Sequence, residues 1–335
     1  MKAISENKQE APFSIQIELT EGCNLRCSFC GINGIRGKER TYNFLSVKNA
    51  KIIADRIKKT GWNPRIEFAM HGEPTMNPDF LKIIKTFRKR LPKLYFLLES
   101  NGVGLMKDNI YKNIKMLFKA GINTVALDEY QNIKFVPKVR KVIKANMAKK
   151  KNKLPFEYYE YPKQREGNPH TRRPCTKKVL TLVSPIDTST KGTHASLNNH
   201  CGGGSKTNKN GVGLKCAKPF REISIRWDGN IALCCNDWRG YYKCGNVLET
   251  KLDKIWNNKF FHSARRKLYR GERTFNPCLG CDAKSYRVGF LPDKMGKLDM
   301  KKPTKGDEKI VKEAVTKKPY TKPIFREWEK AYAKQ

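Results

Sequence analysis

The sequence predicts an α/β protein built on a parallel sheet or barrel, followed by a second unit that contains a β-hairpin. Two observations carry this prediction. Segments patterned like strands alternate with segments patterned like helices over the first 160 residues, which is typical of repeated βα units. Asp228-Gly229 then separates two strand-like runs, and an Asp-Gly pair in that position is a strong hairpin signal.

The first βα unit shows the local signals. Residues 13–19 alternate apolar and polar side chains with the period of a strand. Ser46 is placed to cap a helix that runs to about Lys59, because apolar residues recur along one face of that segment. Gly61 is placed to end this helix.

The same order then repeats along the chain. Short apolar runs predict four further strands, at residues 65–70, 93–99, 123–128 and 154–159. Apolar residues at spacings of three and four predict helices between them, at residues 80–91, 110–120 and 137–149. Gly121 is placed to close the second of these helices.

Residues 1–160 are therefore predicted as a barrel core. Residues 161–215 are rich in Gly, Lys, Asn, Ser and Pro, which predicts a linker or an insertion. Residues 216–296 are predicted as a small second domain. The lysine-rich residues 297–335 are predicted as a basic tail that is disordered or loosely docked.

Within the second domain, residues 221–227 and 230–235 are the predicted strands of the hairpin. Residues 255–268 carry a helical pattern. This domain is therefore expected to be a hairpin packed against helices.

The charge and the apolar segments of the chain indicate which classes of partner the protein could bind. The chain has 335 residues and a formal net charge of +38, which attracts phosphates, nucleic acids or acidic peptides. The alternative explanation is that the many lysines only keep the protein soluble, because phosphate-binding sites favour the forked guanidinium group of Arg. The first residues lack the apolar stretch of a signal peptide, and no apolar run approaches the roughly 20 residues that span a bilayer. We expect a soluble, cytoplasmic protein without a membrane partner.

Polar clusters follow the predicted strands. A cysteine loop follows the first strand, and His71-Gly72-Glu73-Pro74 follows the second. Ser100-Asn101 follows the third strand, and Asp128 ends the fourth. Because functional groups gather at the carboxyl ends of parallel strands, these side chains are expected to form one site.

The cysteine loop places Cys23, Cys27 and Cys30 within eight residues. Eleven cysteines in a long chain without a signal peptide favour metal or redox chemistry over disulfides. Three thiolates cannot complete a tetrahedral zinc site, but they can hold three irons of a [4Fe-4S] cluster and leave the fourth iron open to a chelating ligand. A structural zinc site with Cys175 or Cys201 as a distant fourth ligand is the alternative.

The spacing Cys23-x3-Cys27-x2-Cys30, with Phe29 before the last cysteine, resembles the signature of radical S-adenosylmethionine (radical SAM) enzymes. The resemblance implies a partial (β/α)6 TIM-like barrel. It also implies that the amino and carboxylate groups of SAM chelate the open iron, and that an electron from the cluster releases a 5′-deoxyadenosyl radical. That radical takes hydrogen from the substrate.

Further residues are assigned by the same resemblance. Gly72-Glu73-Pro74 resembles the Gly-Gly-Glu-Pro stretch that receives the amino group of SAM, with His71 standing where the family usually has its first glycine. Ser100, Asn101 and Asp128 fall where family members place polar residues near SAM, although ordinary turn chemistry also explains such residues. In the family the residue at Phe29 packs beside the adenine; a place in the core is the alternative.

A second cysteine set lies in the second domain. Cys216 and Cys234 flank the predicted hairpin, and Cys278-x2-Cys281 follows. The set resembles the cysteine pattern of SPASM domains, without the later cysteines of the full domain. It therefore looks like the shorter twitch version with one auxiliary [4Fe-4S] cluster, and zinc is the alternative for these four thiols.

Three other cysteines have different expected roles. Cys201 lies in a Gly-rich stretch and is expected to reach the substrate, to complete a cluster, or to be inert. Cys235 is expected to be a free buried thiol on the opposite side of its strand from Cys234. Cys244 is expected to act as a small apolar residue.

The resemblance implies an enzyme that abstracts hydrogen from a peptide, a protein or a small molecule. The auxiliary cluster would transfer electrons or ligate the substrate, and a flavodoxin or ferredoxin would donate electrons. The charge leaves two alternatives open. One is a radical SAM enzyme that modifies RNA or nucleotides, and the other is a non-catalytic metal protein that binds nucleic acid.

Overall fold

The computed structural model describes most of the two predicted domains. The described residues are 9–27, 30–34, 42–130, 135–149, 154–161, 178–183, 201, 214–283 and 305–315. The strands are β1 Ser14–Ile17, β2 Thr20–Glu21, β3 Asn43–Phe44, β4 Arg65–Phe68, β5 Phe96–Ser100, β6 Thr124–Asp128, β7 Glu157–Tyr161, β8 Val179–Val183, β9 Glu222–Ile225, β10 Asn230–Ala232 and β11 Lys243–Asn246. The helices are α1 Val47–Thr60, α2 Phe80–Arg90, α3 Ile110–Ala120, α4 Phe135–Lys149, α5 Lys218–Arg221, α6 Leu252–Trp256, α7 Lys259–Tyr269 and α8 Lys305–Ala314.

One mixed sheet organises the described part of the chain. Its strand order is β11-β10-β9-β1-β4-β5-β6-β8-β7, and the strands from β9 to β7 in that order are parallel. The hairpin of the second domain continues this sheet, because β9 pairs with β1 in parallel and with β10 in antiparallel register. The predicted α/β fold, a partial barrel followed by a hairpin and helices, is confirmed.

The two faces of the sheet differ in polarity. Ile15, Ile17 and Phe68 project from one face into the hydrophobic core formed with the helices. On the other face, polar side chains bond to each other across strands, and Gln16 Nε2 donates to Glu67 Oε2 at 3.0 Å. Because neighbouring residues of a strand point to opposite faces, the alternating sequence of β1 produces this division.

The first helix forms as the sequence predicts. The Ser46 hydroxyl accepts a hydrogen bond from the Asn49 backbone N–H at 3.1 Å. Gly61 ends the helix in the left-handed conformation, with φ of 69°. Such an N-cap stabilises a helix by about 1 kcal/mol, and the buried apolar face supplies most of the remainder.

The sheet extends beyond the predicted core boundary at residue 160. Strand β8 lies within residues 161–215, which the sequence analysis assigned to a linker or an insertion, and it inserts between β6 and β7. The sequence of β8, Val-Leu-Thr-Leu-Val, carries a strand signal, and its interior residues are buried. The residues on either side of β8 are polar and rich in glycine, so the composition of residues 161–215 predicted a linker or an insertion instead of a strand.

The tail is also more ordered than expected. Residues 305–315 contain α8, which packs on α7. Asp307 accepts a hydrogen bond from the Ser263 hydroxyl at 2.8 Å and forms an ion pair with Arg266. The expectation of a disordered or loosely docked tail is therefore wrong for these residues. Among the described helices, none is long and apolar enough to cross a membrane.

An aromatic cluster under the sheet gives a test of the core. Phe68 is fully buried, and its ring meets Phe87 and Phe96 edge to face with centroid distances of 5.4 Å in both cases. We expect Phe68→Ala to lower the free energy of unfolding by about 3–5 kcal/mol, because it leaves a cavity among these rings. The measurement is the midpoint of anaerobic urea unfolding.

Met116→Ala on α3 is the control, because this side chain is 38% exposed. Its effect should stay within about 0.5 kcal/mol. Equal midpoints for the two variants would contradict the placement of Phe68 in the core.

Candidate active site

The cysteine loop is held against the end of β5. The Leu25 N–H lies 3.3 Å from Cys23 Sγ, and Asn101 Nδ2 donates to the same sulfur at 3.4 Å. The Cys30 N–H donates to the Cys27 carbonyl at 2.9 Å, which closes the turn between these two cysteines. The pKa of Cys27 is raised by burial and then by the neighbouring thiols of Cys30 and Cys23. The three cysteines line one pocket, as ligands of one cluster must.

The segment after β4 clamps this loop through the backbone. A Cβ atom at Gly72 would lie 2.0 Å from the Thr20 carbonyl oxygen and 2.4 Å from that of Gly22. The Glu73 N–H donates to the Gly22 carbonyl at 2.8 Å. Only a glycine permits this approach, because every other residue would place a carbon inside the neighbouring backbone.

Glu73 lies at the centre of a buried hydrogen-bond network. Its Oε1 accepts from the Thr75 N–H at 3.0 Å, from the Thr75 hydroxyl at 2.5 Å and from the Ser100 hydroxyl at 2.7 Å. Its Oε2 accepts from the Asn101 N–H at 2.8 Å. Burial raises the pKa of this carboxyl, and the hydrogen bonds oppose that effect. Oε2 has one bond where Oε1 has three, so Oε2 is the oxygen better placed to accept a bond from a ligand amino group.

A pocket of about 800 Å³, including its open mouth, lies between the cysteine loop and the strand ends. It is lined by Cys23, Leu25, Cys27, Cys30, Ala69, Met70, His71, Gly72, Glu73, Glu99, Ser100, Asn101, Asp128, Tyr130 and Trp238. Among the described lining residues there are three carboxylates and no Lys or Arg. The pocket is thus acidic in a chain whose net charge is +38.

The structure places most of the predicted cofactor residues at this pocket. The three cysteines, Gly72, Glu73, Ser100, Asn101 and Asp128 all line it. Pro74 is buried and starts a short 3₁₀ helix behind Glu73. Phe29 lies outside the described residues.

Three polar or aromatic lining residues were missed by the sequence analysis. Glu99 was read only as the end of a strand, although its place beside Ser100 was a usable signal. The Tyr130 hydroxyl donates to Asp128 Oδ2 at 3.1 Å, and burial followed by the nearby Asp128 and Glu99 charges raises the pKa of Tyr130. Trp238 comes from the second domain, so no local pattern could have assigned it to the pocket.

His71 links the pocket to the second domain. Its ring is fully buried, with Nδ1 2.8 Å from Glu18 Oε1 and Nε2 2.9 Å from the Cys235 carbonyl oxygen. Burial raises the pKa of Glu18, but Arg226 and His71 outweigh that effect and hold it below its ordinary value. The imidazole also lies against Trp238, with ring centroids 4.6 Å apart.

The second cysteine set also converges on one pocket. Cys216, Cys234, Cys278 and Cys281 line it, together with Cys201. Among the described residues, no three His, Cys, Asp or Glu side chains are gathered closely enough to hold a single metal ion. A [4Fe-4S] cluster presents its irons at separate corners, so its ligands stand farther apart than those of one ion. Each pocket is lined by at least three thiols, which is the donor type that an iron-sulfur cluster takes.

The pKa values of two thiols in this second site are shifted in opposite directions. Burial is the largest influence on the pKa of Cys216, which rises to about 11. The pKa of Cys281 falls to about 6, chiefly because Cys201 donates a hydrogen bond to it. Arg273 donates to the carbonyl oxygens of Cys281 and, at 2.8 Å, Ala283, and it ties this segment to Leu214 through a bond to that carbonyl at 2.9 Å.

The two remaining cysteines differ in environment. Cys244 is fully buried in the main hydrophobic core, as a small apolar residue would be. Cys235 forms no disulfide with a described cysteine, as expected, but the expectation that it is buried is wrong, because it is half-buried and its thiol lies 3.1 Å from Lys218 Nζ. The strand before it ends at Ala232, which places Cys234 and Cys235 in the following turn.

Two family models match the chain in the regions just described. The radical SAM superfamily model matches residues 17–129. The SPASM model, described as an iron-sulfur cluster-binding domain, matches residues 216–282. Together the two matches span a little more than half of the chain.

Individual relatives agree with these domains. A GTP 3′,8-cyclase of Pasteurella multocida is 26% identical over 100 residues, which are 30% of this chain and 29% of the cyclase. An S-adenosyl-L-methionine-dependent 2-deoxy-scyllo-inosamine dehydrogenase of Niallia circulans is 21% identical over 269 residues, covering 80% of this chain and 92% of that protein. The crystal structure of BtrN in complex with AdoMet and 2-DOIA superposes with a TM-score of 0.61 at 19% identity, covering 82% of this chain and 94% of that chain. This superposition shows a common fold.

The backbone clamp at Gly72 gives a direct test of the site. We expect Gly72→Ala to weaken SAM binding at least about tenfold, equivalent to about 1.4 kcal/mol, because the added methyl group displaces Glu73 and the cysteine loop. Equilibrium dialysis of the iron-loaded protein with labelled SAM measures this affinity.

Gly61→Ala is the matched control. A Cβ atom at Gly61 has no neighbour within 4 Å, and the residue lies at the end of α1. This change should cost some stability through its positive φ but leave SAM affinity unchanged. Equal affinities for the Gly72 variant and the unmodified protein would refute the clamp.

Proposed function

Since this chain belongs to the radical SAM superfamily and carries a SPASM iron-sulfur cluster-binding domain, we propose that it dehydrogenates a small polar substrate and transfers one electron to its auxiliary site. The chain is an enzyme, and its two domains are those of a SAM-binding [4Fe-4S] cluster and of auxiliary iron-sulfur chemistry. The identity of the substrate class and the role of the auxiliary site are the proposed parts.

The SAM-binding cluster, with SAM bound, supplies a 5′-deoxyadenosyl radical that takes a hydrogen atom from carbon. Cys23, Cys27 and Cys30 are the proposed iron ligands of that cluster. Glu73 Oε2 is proposed to accept a hydrogen bond from the amino group of SAM. The Thr75, Ser100 and Asn101 donors hold the carboxylate in place for this bond, so little reorganisation is needed when SAM binds.

The carboxylates that line the pocket are the observation on which our proposal for the substrate class depends. Glu99 and Asp128 project from the ends of neighbouring strands, and Tyr130 adds a hydroxyl beside them. Carboxylates bind hydroxyl and ammonium groups well and repel phosphate. We therefore favour a hydroxylated or amino-bearing small molecule over a nucleotide or RNA, even though the chain as a whole is basic.

The dehydrogenase of Niallia circulans, the relative matched over most of both chains, supports the same reaction type. In the proposed reaction, a carbon that bears a hydroxyl group would be the site of hydrogen loss. The hydroxyl proton passes to a pocket carboxylate, for which Glu99 is our candidate. Cys216, Cys234, Cys278 and Cys281 would hold an auxiliary cluster that would accept the remaining electron, which would leave a carbonyl group on the substrate.

The thiol count supports electron transfer at the auxiliary site. A [4Fe-4S] cluster has four irons, and at least four protein thiols surround that pocket. Protein ligands at all four corners leave none for the substrate, so electron transfer is the favoured role over substrate ligation.

SAM cleavage tests the proposal at its first step. After anaerobic reconstitution, the protein should contain about eight irons and form 5′-deoxyadenosine with a low-potential reductant, and Cys30→Ala should retain only about four irons and form none. Iron analysis and chromatography of 5′-deoxyadenosine are the measurements. Cys235→Ala, which removes a thiol outside the proposed ligand sets, is the control. Cleavage of SAM by the Cys30 variant would exclude the assigned cluster site.

A second variant tests the substrate side of the pocket. Glu99→Gln should lower substrate oxidation at least about tenfold, because an amide does not accept the hydroxyl proton. Uncoupled 5′-deoxyadenosine formation should persist, because Glu99 lies outside the proposed SAM contacts. A panel of amino and hydroxylated ring compounds, phosphorylated analogues and RNA provides the substrates, and oxidised product is measured by mass spectrometry.

The exposed Glu249→Gln variant is the control for this measurement. Turnover of only the phosphorylated compounds or RNA would reject the proposed substrate class. Equal loss of coupled and uncoupled reactions in the Glu99 variant would instead assign that residue to SAM binding.

A further inference from the structure

The auxiliary pocket holds more thiols than a cluster can use. Cys201, Cys216, Cys234, Cys278 and Cys281 all line it, whereas a [4Fe-4S] cluster takes four protein thiolates. The SPASM match covers residues 216–282, and Cys201 lies outside it. The extra thiol therefore comes from a different part of the chain from the four predicted ligands.

Cys201 is placed between two of these ligands. Its thiol lines the same pocket as the thiols of Cys234 and Cys281, and these two neighbours raise the pKa of Cys201. Cys234 comes from the turn after β10, and Cys281 comes from the C-x2-C turn more than forty residues later. A side chain that reaches both sulfurs lies where two corners of the cluster are bound, rather than on the outer surface of the domain.

The surroundings favour a local exchange of ligands. Arg273 holds the end of the C-x2-C turn through bonds to the carbonyl oxygens of Cys281 and Ala283, and the Cys281 N–H donates to the Cys278 carbonyl at 3.0 Å. The Cys281 sulfur can therefore leave an iron by rotation of its side chain without movement of the turn. Cys201 is already in contact with that sulfur.

We propose that Cys201 is a fifth thiol ligand of the auxiliary cluster, which replaces Cys281 at one iron. In this exchange the bond from iron to the Cys281 sulfur breaks and a bond from the same iron to the Cys201 sulfur forms. The proton of the Cys201 thiol passes to the Cys281 sulfur along their hydrogen bond. No electron is transferred, and the charge of the cluster is unchanged. The proposal requires the auxiliary cluster, but it is independent of the proposed substrate.

Iron retention in a chain with only the auxiliary site tests this proposal. Replacement of Cys23, Cys27 and Cys30 by alanine removes the first cluster and leaves about four irons. In this background, Cys281→Ala should keep its iron and its cluster absorbance, because Cys201 takes the vacated corner. The further change Cys201→Ala should remove both.

Cys281→Ala combined with Cys235→Ala is the matched control, and it should keep the cluster. The electron paramagnetic resonance spectrum of the reduced cluster should differ between the Cys281 variant and its parent, because one ligand has changed position. Loss of the cluster from Cys281→Ala alone would overturn the proposal. Retention after loss of both Cys281 and Cys201 would overturn it as well.

A second measurement does not depend on the folding of the Cys281 variant. In the otherwise unmodified chain, Cys201→Ala should release auxiliary iron to a chelator several-fold faster than Cys235→Ala, because a neighbouring thiol recaptures an iron that Cys281 has released. Equal release rates would overturn the proposal. Since SAM cleavage depends on the other cluster, failure here and failure of the proposed function are distinguishable.

Discussion

The contact between Gly72 and the backbone of Thr20 and Gly22 is the constraint on which the site depends. It brings β2 and the residue after it so close to the segment after β4 that a side chain at Gly72 cannot be accommodated. The hydrogen bond from the Glu73 N–H to the Gly22 carbonyl then fixes the carboxylate relative to the cysteine loop. The cluster ligands and the proposed SAM ligand therefore form one rigid unit, although they come from separate strands.

The polarity of the sheet explains why this unit borders a pocket that is lined by thiols and carboxylates. Parallel sheets are commonly covered by apolar layers on both faces, and their strands then read as continuous apolar runs. Here Ile15 and Ile17 enter the core while Gln16 and Glu18 take part in buried polar networks on the other face. The barrel interior is consequently polar, and the carboxylates at its rim continue that surface toward the substrate.

Local signals explain which features the sequence could predict. Ser46 and Gly61 act on residues within one helical turn, and the cysteine loop is a contiguous motif, so each could be read from its own neighbourhood. Strand β8 has the composition of a strand, but its place between β6 and β7 depends on pairing that no local pattern encodes. Trp238 and Cys201 reach their pockets from distant parts of the chain, and only the folded structure reveals their neighbours.

His71 shows how a departure from the family pattern can connect two sites. A glycine at this position would leave the space beside Glu18 without an imidazole, whereas His71 reaches from the Glu18 carboxylate to the carbonyl of Cys235. Cys235 directly follows Cys234, a proposed ligand of the auxiliary cluster, and Trp238 packs on the same imidazole. A shift of the turn that carries Cys234 must therefore strain a buried hydrogen bond to the residue beside Gly72. His71 is thus a direct contact between the segment that carries Gly72 and the turn that carries Cys234, and a buried polar group that loses its partner costs about 1–3 kcal/mol.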